Sequence, residues 1–141
     1  MFTSDTARNK AQDRRILIDL LFTLFIALFG GVYESFSHEV YSYFMIYAFA
    51  FPLVLGVLPL LVIRMTGAAY PNRVVVSAVR AGIASLTVGS LVTGALEIYG
   101  TTHPLTVVYW IAGGALLLFG AAVYGAALLR RASQRSAAAS R

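Results

Sequence analysis

The chain contains no cysteine in its 141 residues. Disulfides, thiolate metal sites, iron–sulfur clusters and thiol-redox chemistry are therefore excluded. Charge is scarce as well. Only 12% of residues are charged and 59% are hydrophobic, whereas a soluble domain carries about 25% charge. The solvent for most of this chain must be lipid. Crossing about 30 Å of hydrocarbon takes about 20 apolar residues per helix, so four crossings with short turns use nearly the whole length. No room remains for a separate soluble domain.

Two stretches lack Lys and Arg altogether: Glu34 to Tyr43 and Glu97 to Pro104. The eleven basic residues all fall elsewhere. Arg8, Lys10, Arg14 and Arg15 precede the first apolar run, Arg64, Arg73 and Arg80 flank the central turn, and Arg130, Arg131, Arg135 and Arg141 follow the last run. Basic residues stay on the cytoplasmic side of a membrane, so the pattern predicts an all-α integral membrane four-helix bundle with both termini inside (N-in/C-in). The inner side then holds eleven positive residues against Asp5, Asp13 and Asp19, a net of +8, and the outer side Glu34, Glu39 and Glu97, a net of −3. Such a distribution points to the lipid bilayer, with anionic lipid at the cytoplasmic face, as the partner of the basic residues. It argues against nucleic acid. The bacterial cytoplasmic membrane is the expected location, and the first apolar run, too long for a cleavable leader, reads as a retained anchor.

The expected organisation is a cytoplasmic tail (residues 1–15), a transmembrane domain (16–129) and a basic cytoplasmic tail (130–141). The spans fall at about 16–36, 41–63, 74–99 and 104–129. Asp19 stands four residues after Arg15, a spacing at which the two side chains can pair. Pro52 and Pro59 interrupt the second span and predict a kink there, with freed carbonyls satisfied by neighbouring helices. The third span carries Ala81, Ser85, Gly89 and Thr93 at four-residue intervals, with Ala78 and Gly82 beside them. Rows of small residues let backbones approach closely in lipid, within the bundle or against another protomer. Pro104 suits the first position of the fourth helix, and Tyr109 and Trp110 suit the outer interface. Both tails read as segments without a fold of their own.

The two halves echo one another as tandem hairpins. Gly31, Glu34, Phe36 and His38 end the first rising span, and Gly94, Glu97, Tyr99 and His103 end the second. The glycines and glutamates are each 63 positions apart and the histidines 65. The echo uses both histidines of the chain and two of its three glutamates. Glu34 and His38 lie about 40° apart on a helix, on a stripe continued by Gly30 and Ala27. Ser90, Gly94 and Glu97 form a similar stripe in the third span. Facing stripes would gather Glu34, His38, Glu97 and His103 beneath the outer surface, a plausible first shell for Zn, Fe or Mn. Tyr33 and Tyr99 would be hydrogen-bonding neighbours of such a shell.

The plain alternative for each of these residues is a solvated or hydrogen-bonded group near a helix end. His38-Glu39 opens like a zinc-protease helix, but the second histidine of H-E-x-x-H is missing. There is no P-loop and no G-x-S-x-G, which argues against an ordinary hydrolase or ATPase. The leading expectation is thus a small multi-pass protein whose outward-facing Glu/His site binds a metal cation or couples to protons, in transport. The alternative is a non-catalytic accessory or scaffold subunit of a larger membrane complex, docked through the small face of the third span. Further readings are haem b held between His38 and His103, a homo-oligomer, and an enzyme acting on lipid or quinone.

Overall fold

The computed structural model describes residues 2–36 and 41–139. Those residues are helical apart from the connections. In chain order they form α1 (Phe2–Phe36), α2 (Tyr43–Ile46), a 3₁₀ turn (Tyr47–Phe49), a π turn (Pro52–Val57), α3 (Leu58–Thr66), α4 (Arg73–Ile98) and α5 (Thr106–Ala139). Four stretches are long and apolar enough to cross a membrane: Lys10–Phe36, Tyr43–Thr66, Arg73–Ile98 and Thr106–Ala138. The protein is therefore an integral membrane helical bundle.

The stops between spans are local chemistry. Gly67, at φ 64°, takes the left-handed conformation that closes α3, a position where a side chain would be strained. Asn72 accepts a hydrogen bond from the Val75 amide at 2.9 Å and so caps the start of α4. At the far end of α4, Gly100 is left-handed at φ 71°. Its amide reaches the Glu97 carbonyl and the Thr101 amide reaches that of Leu96, the paired bonds of a Schellman ending. Pro104 lies in the turn just ahead of α5 rather than at its first position. At both chain ends the helices outrun the expected spans, because the flanking Ala, Arg, Gln and Lys are good helix formers.

The second span departs from a regular helix where the prolines stand. Pro52 has no amide to donate and its ring crowds the carbonyl four residues back. The chain widens into a π turn, seen in the bond from the Leu58 amide to the Leu53 carbonyl. Ahead of this break Ser90 of α4, itself buried, donates its hydroxyl to the Phe44 carbonyl at 2.6 Å. A neighbouring helix thus supplies a partner to a carbonyl of α2, just before the regular helix gives way to the 3₁₀ turn.

α4 is the central post. Towards α5 its glycines bring the backbones into contact: a Cβ on Gly82 would meet the Gly113 carbonyl oxygen at 2.9 Å, and one on Gly89 the Tyr109 Cβ at 2.6 Å. Ser85 adds a hydrogen bond to the Tyr109 carbonyl. Ser85 and Gly89 of the small-residue row, with Gly82 beside it, are therefore used inside the bundle, while Ala81 is exposed. Its opposite side meets α2, where a Cβ on Gly94 would lie 2.8 Å from the Met45 amide. Gly30 of α1 closes on Met45 from the other flank, where a Cβ would lie 3.0 Å from the Met45 carbonyl oxygen. Met45 is held between two glycines on two different helices. Gly31, the expected counterpart of Gly94, faces open space instead.

The charged groups sort to opposite ends. At one end Arg64 pairs with Asp13, Arg80 with Asp19 at 2.7 Å, and Arg15 donates to the Tyr70 hydroxyl while lying over its ring. The expected Arg15–Asp19 pair is thus replaced. α4 brings Arg80 to within hydrogen-bonding distance of Asp19, while Tyr70 offers Arg15 both a hydroxyl and a ring face. The other end holds Glu34 and Glu97 without basic residues in the last turn of either helix.

Candidate functional site

Both candidate glutamates stand in the last turn of a long helix, Glu34 on α1 and Glu97 on α4. That is the negative end of each helix dipole, where a carboxylate is disfavoured by about 0.3–1 kcal/mol. Two such carboxylates at one end make an electronegative mouth.

The residue that joins them is Ser42. It is 1% exposed. Its hydroxyl donates to a Glu97 carboxylate oxygen at 2.6 Å, and its amide donates to a Glu34 carboxylate oxygen at 3.4 Å. Ser42 occupies the N-cap position of α2, where a serine side chain ordinarily accepts from the helix's own amides. Here it makes no such cap. The hydroxyl is turned to a carboxylate, a charge-assisted bond stronger than the cap it replaces.

The two small stripes therefore do converge, but on a third element. Gly30 and Glu34 on one side, and Ser90, Gly94 and Glu97 on the other, close around α2 at Phe44, Met45 and Ser42. The approach is possible because neither glycine has a side chain to keep Met45 out. Ser42 was not legible as part of the site, since it sits among Tyr41 and Tyr43 in what looks like an interfacial aromatic belt. Its place eight residues after Glu34 and the absence of basic neighbours were the available signals.

The histidines behave differently. His38 lies outside the described residues. His103 is exposed on the connection before α5, with its Nδ1 accepting from the Leu105 amide at 3.3 Å and its carbonyl accepting from Thr106. That arrangement ties the ring to its own turn. Among the described residues no three His, Cys, Asp or Glu side chains gather to hold a metal ion. Glu34 and Glu97 form a pair of oxygen donors, and His103 does not complete a triad with them. Tyr33 and Tyr99 line a cleft of about 340 Å³ with Phe29, Val32, Phe36 and Ile98. They form an aromatic wall between the ends of α1 and α4. Trp110 of α5 packs edge-on against Phe44 and Phe51, at centroid distances of 5.9 and 5.8 Å. These contacts tie the segment that carries Ser42 to α5.

A second feature was not anticipated. A chamber of about 530 Å³ lies towards the basic end, walled by α1, the π turn, α3, α4 and α5, with the Asp19–Arg80 pair in its lining. Its walls are otherwise almost wholly apolar, Tyr70 and Tyr124 apart. The widened backbone at Pro52–Val57 supplies one wall through Pro52, Leu55 and Gly56.

Comparison with protein-family models, with curated proteins and with solved structures finds no match to this chain.

Proposed function

We propose that the protein is a four-span membrane protein, N-in and C-in, whose outward-facing acidic mouth binds a cation or exchanges protons through Glu34 and Glu97. The observation that carries the reading is the buried Ser42 donating to both carboxylates, from its amide to Glu34 and from its hydroxyl to Glu97. Two anionic groups drawn to one residue, each at the negative end of a helix, favour a shared positive charge between them. The donors in hand are oxygens, which suit a proton or a hard cation such as Mn better than Zn. His38 and His103 enter only as outer ligands. The tandem-hairpin reading remains attached to this proposal, with Glu34 and Glu97 as its equivalent positions.

A second reading is a non-catalytic accessory or scaffold subunit docked through the small face of the third span: Gly82 and Gly89 pack on α5, while Ala81 of the same row is exposed.

The test measures Mn binding by electron paramagnetic resonance and proton uptake into proteoliposomes, for the wild type and for Glu34→Gln/Glu97→Gln. The wild type binds or conducts and the double variant loses it by about tenfold or more, the scale of one or two lost charged contacts. Equal behaviour of the two proteins overturns the site. Orientation is checked separately. The cysteine-free chain allows a single Cys at residue 103 and another at residue 67 to be labelled in intact cells, and the first must react from outside and the second only from inside.

A further inference from the structure

We propose that the chamber at the basic end is a binding site for one acyl chain of an anionic phospholipid drawn from the leaflet at that end. The site is distinct from the acidic mouth and does not depend on it.

Shape is the first support. Along α4 the lining runs from Val75 to Ala84, nine steps or about 13 Å of helix rise. Half of a hydrocarbon core of about 30 Å is about 15 Å, so the chamber has the depth of a single leaflet. At about 530 Å³ it falls within the roughly 300–1,000 Å³ of ordinary ligand pockets. An apolar void of this size left empty forfeits the dispersion contacts of its whole lining, and water would find few polar partners in it. Hydrocarbon is the filling that restores those contacts.

Access is the second support. α1 packs on the second span and α5 packs on α4. The chamber lies between α1, at Ile18 and Phe22, and α5, at Leu117 and Tyr124. A membrane lipid alongside the bundle can enter between them.

Charge is the third. Tyr70 stands at the basic end of the chamber with Arg15 over its ring, and the Asp19–Arg80 pair lies in the lining with the Arg80 side chain partly exposed. A headgroup would sit at this basic rim. A guanidinium has five N–H donors, and among the described residues Asp19 takes the one bond that Arg80 makes. The rest of its fork matches phosphate oxygens, and with Arg15 nearby the rim carries one positive charge more than negative. A zwitterionic headgroup gains less from that excess than an anionic one.

The experiment uses the full chain reconstituted in vesicles of phosphatidylcholine with one tenth phosphatidylglycerol, then released and weighed by native mass spectrometry. The wild type is expected to retain one phosphatidylglycerol per chain, about tenfold over its share of the bilayer. Gly56→Phe and Ala84→Phe, each placing a ring in the chamber, should abolish retention of either lipid. A Cβ on Gly56 meets only Ile83 Cδ1, at an ordinary 3.6 Å, and Ala84 is exposed, so both variants are expected to fold. Their thermal transitions confirm it. Arg80→Gln should keep the chamber filled but erase the preference for phosphatidylglycerol. The proposal is overturned if the wild type retains the two lipids in their bilayer ratio, if folded chamber-filling variants retain phosphatidylglycerol undiminished, or if inorganic phosphate displaces the bound lipid.

Discussion

α4 is packed by opposite means on its two sides. Towards α5 it meets a helix as regular as itself, and glycines at 82 and 89 on one strand of contact, with 113 and 120 on the other, bring the backbones together. Towards the second span it meets a helix broken by Pro52, and below the Ser90–Phe44 bond the two separate around the chamber. In lipid no hydrophobic drive pulls helices together, so association depends on how closely backbones can fit. Glycine permits that fit all along the α5 side and, at Gly94, against Met45 of α2, whereas beyond it the π turn leaves the chamber. The same post is thus a rigid seam on one face and a wall of a cavity on the other.

The largest break in this comparison comes from Gly82→Leu. Its Cβ meets backbone, which cannot move aside as a side chain can, so a loss of about 3 kcal/mol is expected from overpacking. Unfolding in mixed micelles reads it, and a variant as stable as wild type would show that the seam is not tight. Leu86→Ala and Ile83→Ala sharpen the contrast, because Leu86 packs on Gly113 in the seam while Ile83 borders the chamber. Both are buried. The first should cost about 3 kcal/mol and the second nearer 2, since fewer contacts are lost beside an existing void. The reverse order would mean that the chamber closes in the membrane.

Smaller effects are expected from the ion pairs. Asp19 is 17% exposed and Asp13 52%. Arg80→Ala should therefore destabilise more than Arg64→Ala, about 1 kcal/mol against a few tenths once screening is allowed for. Raising salt should blunt the Arg64 effect first. The smallest change is a gain: Gly114→Ala, on a helix face where a Cβ meets nothing within 4 Å, should stabilise by about 0.5 kcal/mol through the unfolded chain. If it destabilises instead, that face of α5 is covered in the membrane, and a cross-linking search for a second protomer would follow.

The acidic mouth was half legible. Glu34 and Glu97 could be found because charged residues are rare in this chain and both follow glycine-bearing stripes. Their meeting point could not, because Ser42 acquires its role only when Met45 enters between Gly30 and Gly94. The prolines announced a broken second span but not its consequence, since a kink, a bulge and a cavity all begin from the same missing amide. Asp19 illustrates the limit from another side. Spacing alone offered Arg15, four residues away, whereas folding offered Arg80, 61 residues away, with Tyr70 free to take Arg15.

The sequence by itself determined that four stretches are long and apolar enough to cross a membrane and which ends of them are basic and acidic. Those properties are sums over local composition, and transferring about 20 residues into hydrocarbon has one outcome whatever their neighbours are. Only the tertiary structure decided which residues share the mouth, which arginine holds Asp19 and where the bundle is hollow. Those depend on separations of a few ångströms between backbones far apart in the chain, set by where glycines admit a neighbour and where a proline forces it away.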